Sequence, residues 1–426
     1  MARSRRKHRV KSTSSLVLRL ALLLVSVAVL LACVLIPAEK LPWYAASPVK
    51  PVSDADAQVD SALPRAGSSA AAAVGKTAEA TISLCGDVLL HTTVFKQAKS
   101  EGSYDFNPYF SIIKEYIHGD MNIANMEGPV DALGGNQGIS SYPAFNAPHE
   151  ILDALKGAGF TTLLTANNHA LDKGFNGLVK NRQNIRDAGL DAVGTFENQT
   201  EHDEPFIKSV NGIKIGIAAY TDSTNGIPLP KPYCVDKIDL NSSAVPGILA
   251  DVERLREAGA EFVMVSLHWG AEYQDAPAPV QKDIAAGLAE GGVDVVIGNH
   301  AHCVQPIERI GDCLVIYSLG NFFVDQTPLN RAKTQESMIV NLRVARDAEG
   351  IIRLADASYM PTFMYRVTGK SGPDAFRLLP AGAYAEADER PGVFTHDADW
   401  NKCKNAWKRV PEIVGDAIRA TAESPR

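Results

Sequence analysis

The chain has 426 residues, which is enough for one large domain or two ordinary ones together with terminal segments. It is 46% hydrophobic and 21% charged, a composition typical of a globular protein and not of a disordered one. Its formal net charge is -7 and no basic stripe runs through the body, which argues against nucleic acid as a partner.

The first 36 residues form a separate region. A basic segment at 1–19 precedes an apolar run at 20–36 that carries no charge and closes at Pro37. A run of about 17 residues is at the short end of what spans a bilayer and is longer than the usual core of a signal peptide. We expect a single-pass transmembrane signal-anchor with a cytoplasmic N-terminus and an extracellular domain at the cell membrane, because positive flanks stay inside.

Two alternatives for this apolar run stay open. Residues 28–32 could contain a signal peptidase site, and the sequence "LLAC" resembles a lipobox that would make the chain a lipoprotein through Cys33. Against the lipobox, residues 34–36 continue the apolar run. All three interpretations place the domain outside the cytoplasmic membrane.

The composition changes again after the apolar run. Residues 37–76 are rich in Ala, Ser, Pro and Val and cannot form a core, so we predict a flexible linker. From 77 to 386, strand-like and helix-like patterns alternate with short connections, which predicts one α/β domain. The polar segment 387–426 is predicted to be a C-terminal helical extension, with an amphipathic helix at 411–421.

The elements of the α/β domain follow from hydrophobic periodicity and turn signals. The predicted strands lie at 80–84, 121–124, 161–164, 191–193, 262–266 and 293–297. The predicted helices lie at 108–117, 150–158, 177–188, 246–258 and 280–290. The pair Asn211-Gly212 indicates a hairpin, a second hairpin is predicted at 304–317, and the runs 337–345 and 355–365 complete a sheet. Cys303 and Cys313 flank the second hairpin. They could form a disulfide, or both could be buried free thiols.

Polar residues suited to metal binding follow five of the predicted strands. The five endings are Asp87; Asn125 with Glu127; Asn167, Asn168 and His169; His268 with Trp269; and His300 with His302. Ligands bind in the crevice at the carboxyl ends of strands in open α/β sheets. We therefore expect these side chains to meet at one edge of the sheet.

These residue types have a common chemistry. Carboxylate oxygen and imidazole nitrogen together suit Zn, Mn or Fe, while the absence of cysteine pairs argues against a closed structural zinc site. A carboxylate such as Glu127 or Asp87 can bridge two ions about 4 Å apart, which can clamp a phosphoryl group and activate water. An extended backbone at 300–302 would point both imidazoles to the same side.

Each of these residues taken singly also has an ordinary explanation. His91, His149 and His202 are typical loop or structural histidines, and Asn167-Asn168 is common turn chemistry. Five polar endings in succession are not explained in that way. The succession favours one shared site.

The sequence resembles the CapA family of capsule or poly-gamma-glutamate synthesis proteins, which are similar to calcineurin-type metallophosphoesterases. The matching segments are "GDVLLH", "NMEGPV", "YPAFNAPHEILDALKGAGF", "TANNHALDKG", "TNGIPLP", "VSLHWGAEYQ", "GNHAHCVQPIE" and "YSLGNFF". The resemblance implies that 77–386 is a metallophosphatase-like layered β-sheet sandwich flanked by helices. It also implies two divalent ions, either Mn, Zn or Fe.

The resemblance assigns roles residue by residue. The implied metal ligands are Asp87, His91, Glu127, Asn168, His268, His300 and His302. The implied catalytic pair is His169, the general acid, with Asp172 to orient it. Residues that are expected to line the crevice and bind substrate are Asn125, Asn146, Asn167, Trp269 and Glu272. For the aromatic Trp269, packing in the core is the alternative. Gly320 and Asn321 are predicted to form a turn behind the site.

Two departures from the metallophosphoesterase pattern separate two functional hypotheses. Leu89 stands where a histidine is expected, and Glu127 replaces the bridging aspartate. The first hypothesis is a metallohydrolase of capsule or poly-gamma-glutamate synthesis or export, which uses metal-activated water on a phosphoester or amide. Its expected partners are an anionic polymer substrate and the subunits of a membrane polymer synthase. The second hypothesis is a non-catalytic accessory subunit of that synthase.

Overall fold

The computed structural model describes residues 77–326 and 332–422. The predicted anchor, lipobox, cleavage site and linker therefore lie outside the described residues. No helix in these two ranges is long and apolar enough to cross a membrane.

Seventeen strands occur in the described ranges. They are β1 (Ala78–Leu89), β2 (Lys99–Ser100), β3 (Ser103–Tyr104), β4 (Met121–Met126), β5 (Thr162–Leu164), β6 (Asp191–Val193), β7 (Ile207–Val210), β8 (Ile213–Thr221), β9 (Phe262–His268), β10 (Val295–Asn299), β11 (Ile307–Ile310), β12 (Cys313–Ile316), β13 (Asn321–Val324), β14 (Glu336–Arg346), β15 (Ile352–Arg366), β16 (Phe376–Pro380) and β17 (Arg419–Ala420).

Helices cover much of the remainder. They are α1 (Thr92–Ala98), α2 (Asn107–Phe110), α3 (Glu150–Gly157), α4 (Gly174–Asp187), α5 (Gln199–Asp203), α6 (Ala244–Glu257), α7 (Pro279–Glu290), α8 (Ala381–Ala385) and α9 (Asp397–Val414). Short 3₁₀ turns lie at Ile113–Tyr116, Ala332–Gln335 and Gly372–Asp374.

The strands build two mixed sheets. The larger sheet has the order β16-β15-β14-β1-β4-β5-β6, with β13 beside β1 and β17 beside β15. The smaller sheet has the order β11-β12-β10-β9-β8-β7. Strands β1, β4, β5 and β6 run parallel in the larger sheet, and β8, β9, β10 and β12 run parallel in the smaller one. Strand β14 pairs antiparallel with β1, and the hairpin partners β7 and β8 are also antiparallel. The parallel strands end on the same side, where the predicted polar residues lie.

The two sheets share a core because successive side chains of a strand point to opposite faces. Ile82 and Leu84 of β1 belong to one buried cluster with Ile217, Met264 and Ile297 of the smaller sheet. This cluster fills the space between the sheets. Its apolar surface is the main stabilising contribution to their pairing.

The outer faces of the sheets are covered by helices. On the larger sheet, Leu163 packs with Ile151 and Leu155 of α3. On the smaller sheet, Val265 packs with Ile284 of α7 in a second outer cluster that also contains residues of α6. The order helix, sheet, sheet, helix confirms the predicted α/β sandwich with flanking helices.

Most predicted elements agree with the structure to within a few residues, including the strand at 191–193 and both hairpins. The predicted helix at 108–117 is instead the short α2 followed by a 3₁₀ turn. The five cysteines in the described residues are all free, so Cys303 and Cys313 do not form a disulfide.

The prediction of a helix at 411–421 was wrong in position. The helix α9 begins after His396, and Asp397 and Asp399 in its first turn favour a helix start because they interact with the helix dipole. It ends at Val414 and is capped by Gly415, whose φ of 81° is readily adopted by glycine. Pro411 lies inside α9 and does not start it. Its residues Val410 and Val414 pack into the core between the sheets.

A cavity of about 300 Å³ lies away from the polar strand endings. Its lining includes Arg182, Phe206, Asp236, Asp251 and Arg254. Two of its arginines are paired with carboxylates, Arg254 with Asp251 and Arg182 with Glu201.

His202 of α5 also lines this cavity and bridges two carboxylates. Its ring nitrogens lie 3.1 Å from Asp236 Oδ1 and 3.0 Å from Asp203 Oδ1. The hydrogen bond with Asp236 outweighs the effect of burial and, with that of Asp203, raises the pKa of His202 to about 9. An unfolded histidine has a pKa of about 6.5, so the folded state holds this proton more tightly. The resulting stabilisation is complete below about pH 6.5 and is lost as the pH rises through 9.

We expect His202→Gln to lower the free energy of unfolding most at about pH 6 and progressively less toward pH 10. The pH-dependent part should stay below about 1 kcal/mol because water screens this partly exposed pair. Urea unfolding of the wild type and of His202→Gln between pH 6 and pH 10 measures the difference in the free energy of unfolding. If this difference grew with pH, the raised pKa of His202 would be contradicted.

Candidate metal centre

The five polar strand endings meet at one site, but they come from two sheets and not from one edge as predicted. Asp87, Glu127 and Asn168 lie at the ends of strands of the larger sheet, whereas His268 and His300 follow strands of the smaller sheet. All five residues are buried. The site therefore lies where the carboxyl ends of both sheets face the same space.

A β-bulge presents Asp87 to this space. The pairing of β1 with β4 and with β13 shifts register on either side of Asp87, and such a bulge redirects a side chain. The backbone is held by Asp87 N–H, which donates to Gly320 O at 2.9 Å. Gly86 is required here, because a Cβ at this position would lie 1.9 Å from Gly320 O.

The backbone at His300 and His302 is not extended, so the condition for two imidazoles on the same side of a strand is not met. His300 has a φ of 88° and His302 a φ of 56°, a left-handed conformation that is uncommon for residues other than glycine. Both imidazoles nevertheless reach the site. Two strained residues only two positions apart are typical of functional sites, where the surrounding structure compensates for their cost.

The first ligand group contains Glu127, His268 and His300, whose candidate ligand atoms all lie within 4.8 Å of one another. His268 Nε2 lies 3.1 Å from His300 Nδ1 and 3.7 Å from Glu127 Oε1. It also lies 3.0 Å from Asn168 Oδ1. Neighbouring ligands on one ion at about 2.1 Å are separated by about 3.0–3.4 Å, so these spacings suit a cation.

The second ligand group contains Asp87, Glu127 and His302. His302 Nδ1 lies 3.3 Å from Asp87 Oδ2, and His302 Nε2 lies 3.9 Å from Glu127 Oε1. Glu127 belongs to both groups. It is therefore the residue that can bridge two ions.

Glu127 provides the test of whether the site fits a cation. Its side chain is fully buried, and neither of its oxygens has a hydrogen-bond partner in the described part of the chain. A buried carboxylate without hydrogen bonds is costly. Burial, together with the charge of Asp87, raises the pKa of Glu127 to about 7 although His302 opposes the shift. A divalent cation would satisfy both oxygens, so the residues fit the metal that the sequence predicts.

The histidines of the site differ in charge. Burial and the neighbouring His302 lower the pKa of His300 to about 4, and burial with His300 lowers the pKa of His268 well below its usual value. Burial also opposes a charge on His302, but Glu127 and Asp87 outweigh it and raise its pKa to about 9. Two neutral imidazoles are thus ready to bind metal in the first group.

His169 and Asp172 form a hydrogen-bonded pair at the edge of the site. His169 Nδ1 lies 2.8 Å from Asp172 Oδ2, which also accepts from Phe145 N–H at 2.6 Å. The Phe145 ring packs edge-on against the His169 ring. Burial opposes a charge on His169, but Asp172 and Glu127 raise its pKa above the usual value. A histidine held in this way can carry a proton at Nε2.

Two residues of the first motif lie apart from the ligand groups. Leu89 packs with Phe145 and Val324 in a small apolar cluster. His91 is not a member of either group, and its Nε2 has no hydrogen-bond partner in the described residues. Burial and His302 lower the pKa of His91 to about 4. His91 is therefore a neutral neighbour of the site in this structure.

Asn125 and Asn167, predicted to bind substrate, form hydrogen bonds with candidate ligands and with the neighbouring backbone. Asn125 Nδ2 donates to Asp87 Oδ1 at 2.8 Å and lies 3.3 Å from His268 Nδ1. Asn167 Nδ2 donates to Met126 O at 2.9 Å. Both side chains are buried, as are the candidate ligands themselves.

The other three predicted substrate residues lie in different environments. Asn146 is fully buried and its amide holds the loop before α3, through Ala132 N–H and Gln137 O. Trp269 is buried, and its indole donates to Tyr317 O at 3.2 Å. Glu272 is exposed, and its charge acts on Glu127 and His302. Of these three side chains, only that of Glu272 is exposed.

Sequence reasoning missed one residue that contacts the site, Asn225, and placed another, Asn321, behind the site without its contact to His302. Asn225 Oδ1 lies 3.3 Å from Asn168 Nδ2, and Asn225 Nδ2 lies 3.3 Å from His169 Nδ1. Asn321 begins β13 instead of forming a turn, and its Oδ1 lies 2.9 Å from His302 Nδ1. Both occur in the motif segments "TNGIPLP" and "YSLGNFF", which were the available signal.

Comparison with known proteins identifies relatives of the chain. Capsule biosynthesis protein CapA of Bacillus anthracis is 27% identical over 277 residues, which cover 64% of this chain and 66% of that protein. PGA biosynthesis protein CapA of Bacillus subtilis is 28% identical over 279 residues, which cover 63% of this chain and 68% of that protein. The chain thus spans about two thirds of the length of these relatives.

Among solved structures, NAD nucleotidase of Haemophilus influenzae matches with a TM-score of 0.40 and 12% identity, over 82% of this chain and 65% of that one. A 5'-nucleotidase precursor from Thermus thermophilus matches with a TM-score of 0.40 and 14% identity, over 78% of this chain and 58% of that one. A family model described as "Bacterial capsule synthesis protein PGA_cap" matches residues 81–326. Because that match covers more than half of the chain and contains every ligand of the site, the protein belongs to the PGA_cap family of bacterial capsule synthesis proteins.

Proposed function

We propose that this protein is a membrane-anchored extracytoplasmic metallohydrolase that acts in the synthesis or export of a capsule or of poly-gamma-glutamate. The observation that carries the proposal is the convergence of two buried ligand groups on Glu127, a carboxylate without hydrogen bonds. The family and the names of the Bacillus relatives support the process. The apolar run at 20–36 after a basic segment supports the location.

The metal ions would be held by the two ligand groups, with Asn168 completing the first. Zn, Mn or Fe suits this set of carboxylate and imidazole donors. When bound, two such ions polarise a phosphoryl or carbonyl oxygen and activate water. His169 lies outside both groups and holds a proton beside them, which suits a general acid that protonates the leaving oxygen or nitrogen. The proposed substrate is the polymer itself or a phosphoester or amide linkage to it.

Fractionation followed by metal analysis tests the proposal. The full-length chain should be recovered in the membrane fraction, and the detergent-purified protein should bind up to two divalent ions per chain. Recovery in the cytoplasmic fraction would contradict the anchor. Under metal-replete conditions, a content below about a tenth of an equivalent would contradict the metal centre, because buried ligand sets of this kind bind tightly.

A second candidate function is a non-catalytic accessory subunit of a membrane polymer synthase. Leu89 favours it, because the second ligand group lacks the histidine that the metallophosphoesterase pattern supplies at this position. A Mycobacterium tuberculosis relative, 24% identical over 172 residues, which cover 38% of this chain and 44% of that protein, is named a probable polyglutamine synthesis accessory protein. In that case the metal would have a structural or binding role. Substitution of His169 separates the two functions.

A further inference from the structure

Asn321 is the residue that contacts His302 from behind. It starts β13, where it pairs in register with Asp87 of β1, and its side chain is buried. Asn321 Oδ1 lies 2.9 Å from His302 Nδ1. The contact joins β13 to the second ligand group.

The orientation of the Asn321 amide follows from its other partners. Asn321 Nδ2 lies 3.0 Å from Thr334 O and 3.2 Å from Gln326 Oε1. A backbone carbonyl only accepts hydrogen bonds, so the NH₂ group must face Thr334. The amide oxygen therefore faces His302, and the hydrogen in this contact belongs to His302 Nδ1. The second atom near Nδ1, Asp87 Oδ2 at 3.3 Å, is also an acceptor.

We propose that Asn321 is a positioning residue that keeps the hydrogen of His302 on Nδ1 and thereby leaves Nε2 as the metal-binding nitrogen. The inference rests on the proposed metal centre and adds a residue to it. Nε2 is the nitrogen on the side of Glu127, whose Oε1 lies 3.9 Å away. Histidine ligands usually donate their other N–H to an oxygen in this way, which fixes the ring and its tautomer.

The second ligand group makes this orientation important. It contains one histidine, because Leu89 occupies the place where a second is expected and packs with Phe145 and Val324. His302 also has a strained backbone, with a φ of 56°. A rotation of its ring would leave an ion with the two carboxylates alone. The first group has two histidines and does not depend on Asn321.

Metal titration of three full-length variants tests the proposal. Asn321→Ala should weaken the binding of one ion by about 10- to 100-fold and leave the other unchanged. Asn321→Asp keeps an acceptor for His302 Nδ1 and should bind both ions as the wild type does. The matched control is Asn122→Ala, which removes a buried amide that donates to Gly119 O and Gly159 O, away from the site.

Nitrogen NMR of the zinc-loaded wild type, with ¹⁵N-labelled histidine, is an independent measurement that needs no variant. It should show His302 protonated at Nδ1 and zinc on Nε2. Zinc on Nδ1 would overturn the proposal. So would wild-type affinity for both ions in Asn321→Ala, or an equal loss in Asn321→Asp, which would mean that the amide only holds Gln326 and Thr334. A wild type that binds no metal would instead overturn the proposed function.

Discussion

Glu127→Gln is expected to abolish the binding of both metal ions and to stabilise the metal-free protein. The loss of metal follows because Glu127 is the only residue shared by the two ligand groups found in the described chain. The gain in stability follows because both Glu127 oxygens are buried without hydrogen bonds. Removing the charge also leaves one carboxylate, Asp87, facing the protonated His302. We expect a gain of about 1 kcal/mol, because the glutamine amide is also polar and buried and only the cost of burying the charge is removed.

Urea unfolding of metal-free proteins, combined with elemental analysis of metal-loaded ones, measures both effects. The matched control is Glu336→Gln, because Glu336 is a buried carboxylate that is paired with Arg409 at 2.6 Å. That variant should lose stability and keep its metal. Wild-type metal content in Glu127→Gln would show that the ligand groups were misidentified. A metal-free variant less stable than metal-free wild type would show that the carboxylate is not strained.

The fold was largely predictable because the core follows simple periodicities. Strands such as 191–193 and the hairpin at Asn211-Gly212 depend on local signals, and they occur where predicted. The position of α9 could not be predicted from the preference of proline for the first turn of a helix. Pro411 lies within the helix, and the acidic residues after His396 mark its start. The division of the strands into two sheets depends on long-range pairing, which a single sequence does not display.

The residues of the site were predictable in kind, but their arrangement was not. Buried strands that end in Asp87, Glu127 and His268 could be identified in chain order, since such endings gather at one side of parallel strands. The left-handed backbone at His300 could not, because it is imposed by the surrounding chain and contradicts the local preference of histidine. The support from Asn321 also needed the structure, since 19 residues separate it from His302.

His169→Ala is expected to reduce catalysis by about 100-fold or more while both metal ions stay bound. His169 belongs to neither ligand group, and its Nδ1 is held by Asp172 at 2.8 Å, so its loss removes a proton donor and not a ligand. Asp172→Asn should reduce the rate as well, because the imidazole would lose the carboxylate that orients it. Hydrolysis of an aryl phosphate and of a γ-glutamyl anilide by the metal-loaded protein, together with polymer yield in cells, measures the effect.

His149→Ala is the matched control, since His149 is a half-buried histidine at the start of α3 and outside both ligand groups. It should retain metal, folding and rate. If His169→Ala keeps its fold and metal and still supports wild-type polymer yield, proton transfer at this site is not needed, and the accessory function would be favoured. If instead yield falls with His169→Ala but not with His149→Ala, the buried metal centre and the His169-Asp172 pair act together in one reaction. The two outcomes differ because a general acid contributes only when a bond is broken, whereas a structural metal centre needs no proton donor beside it.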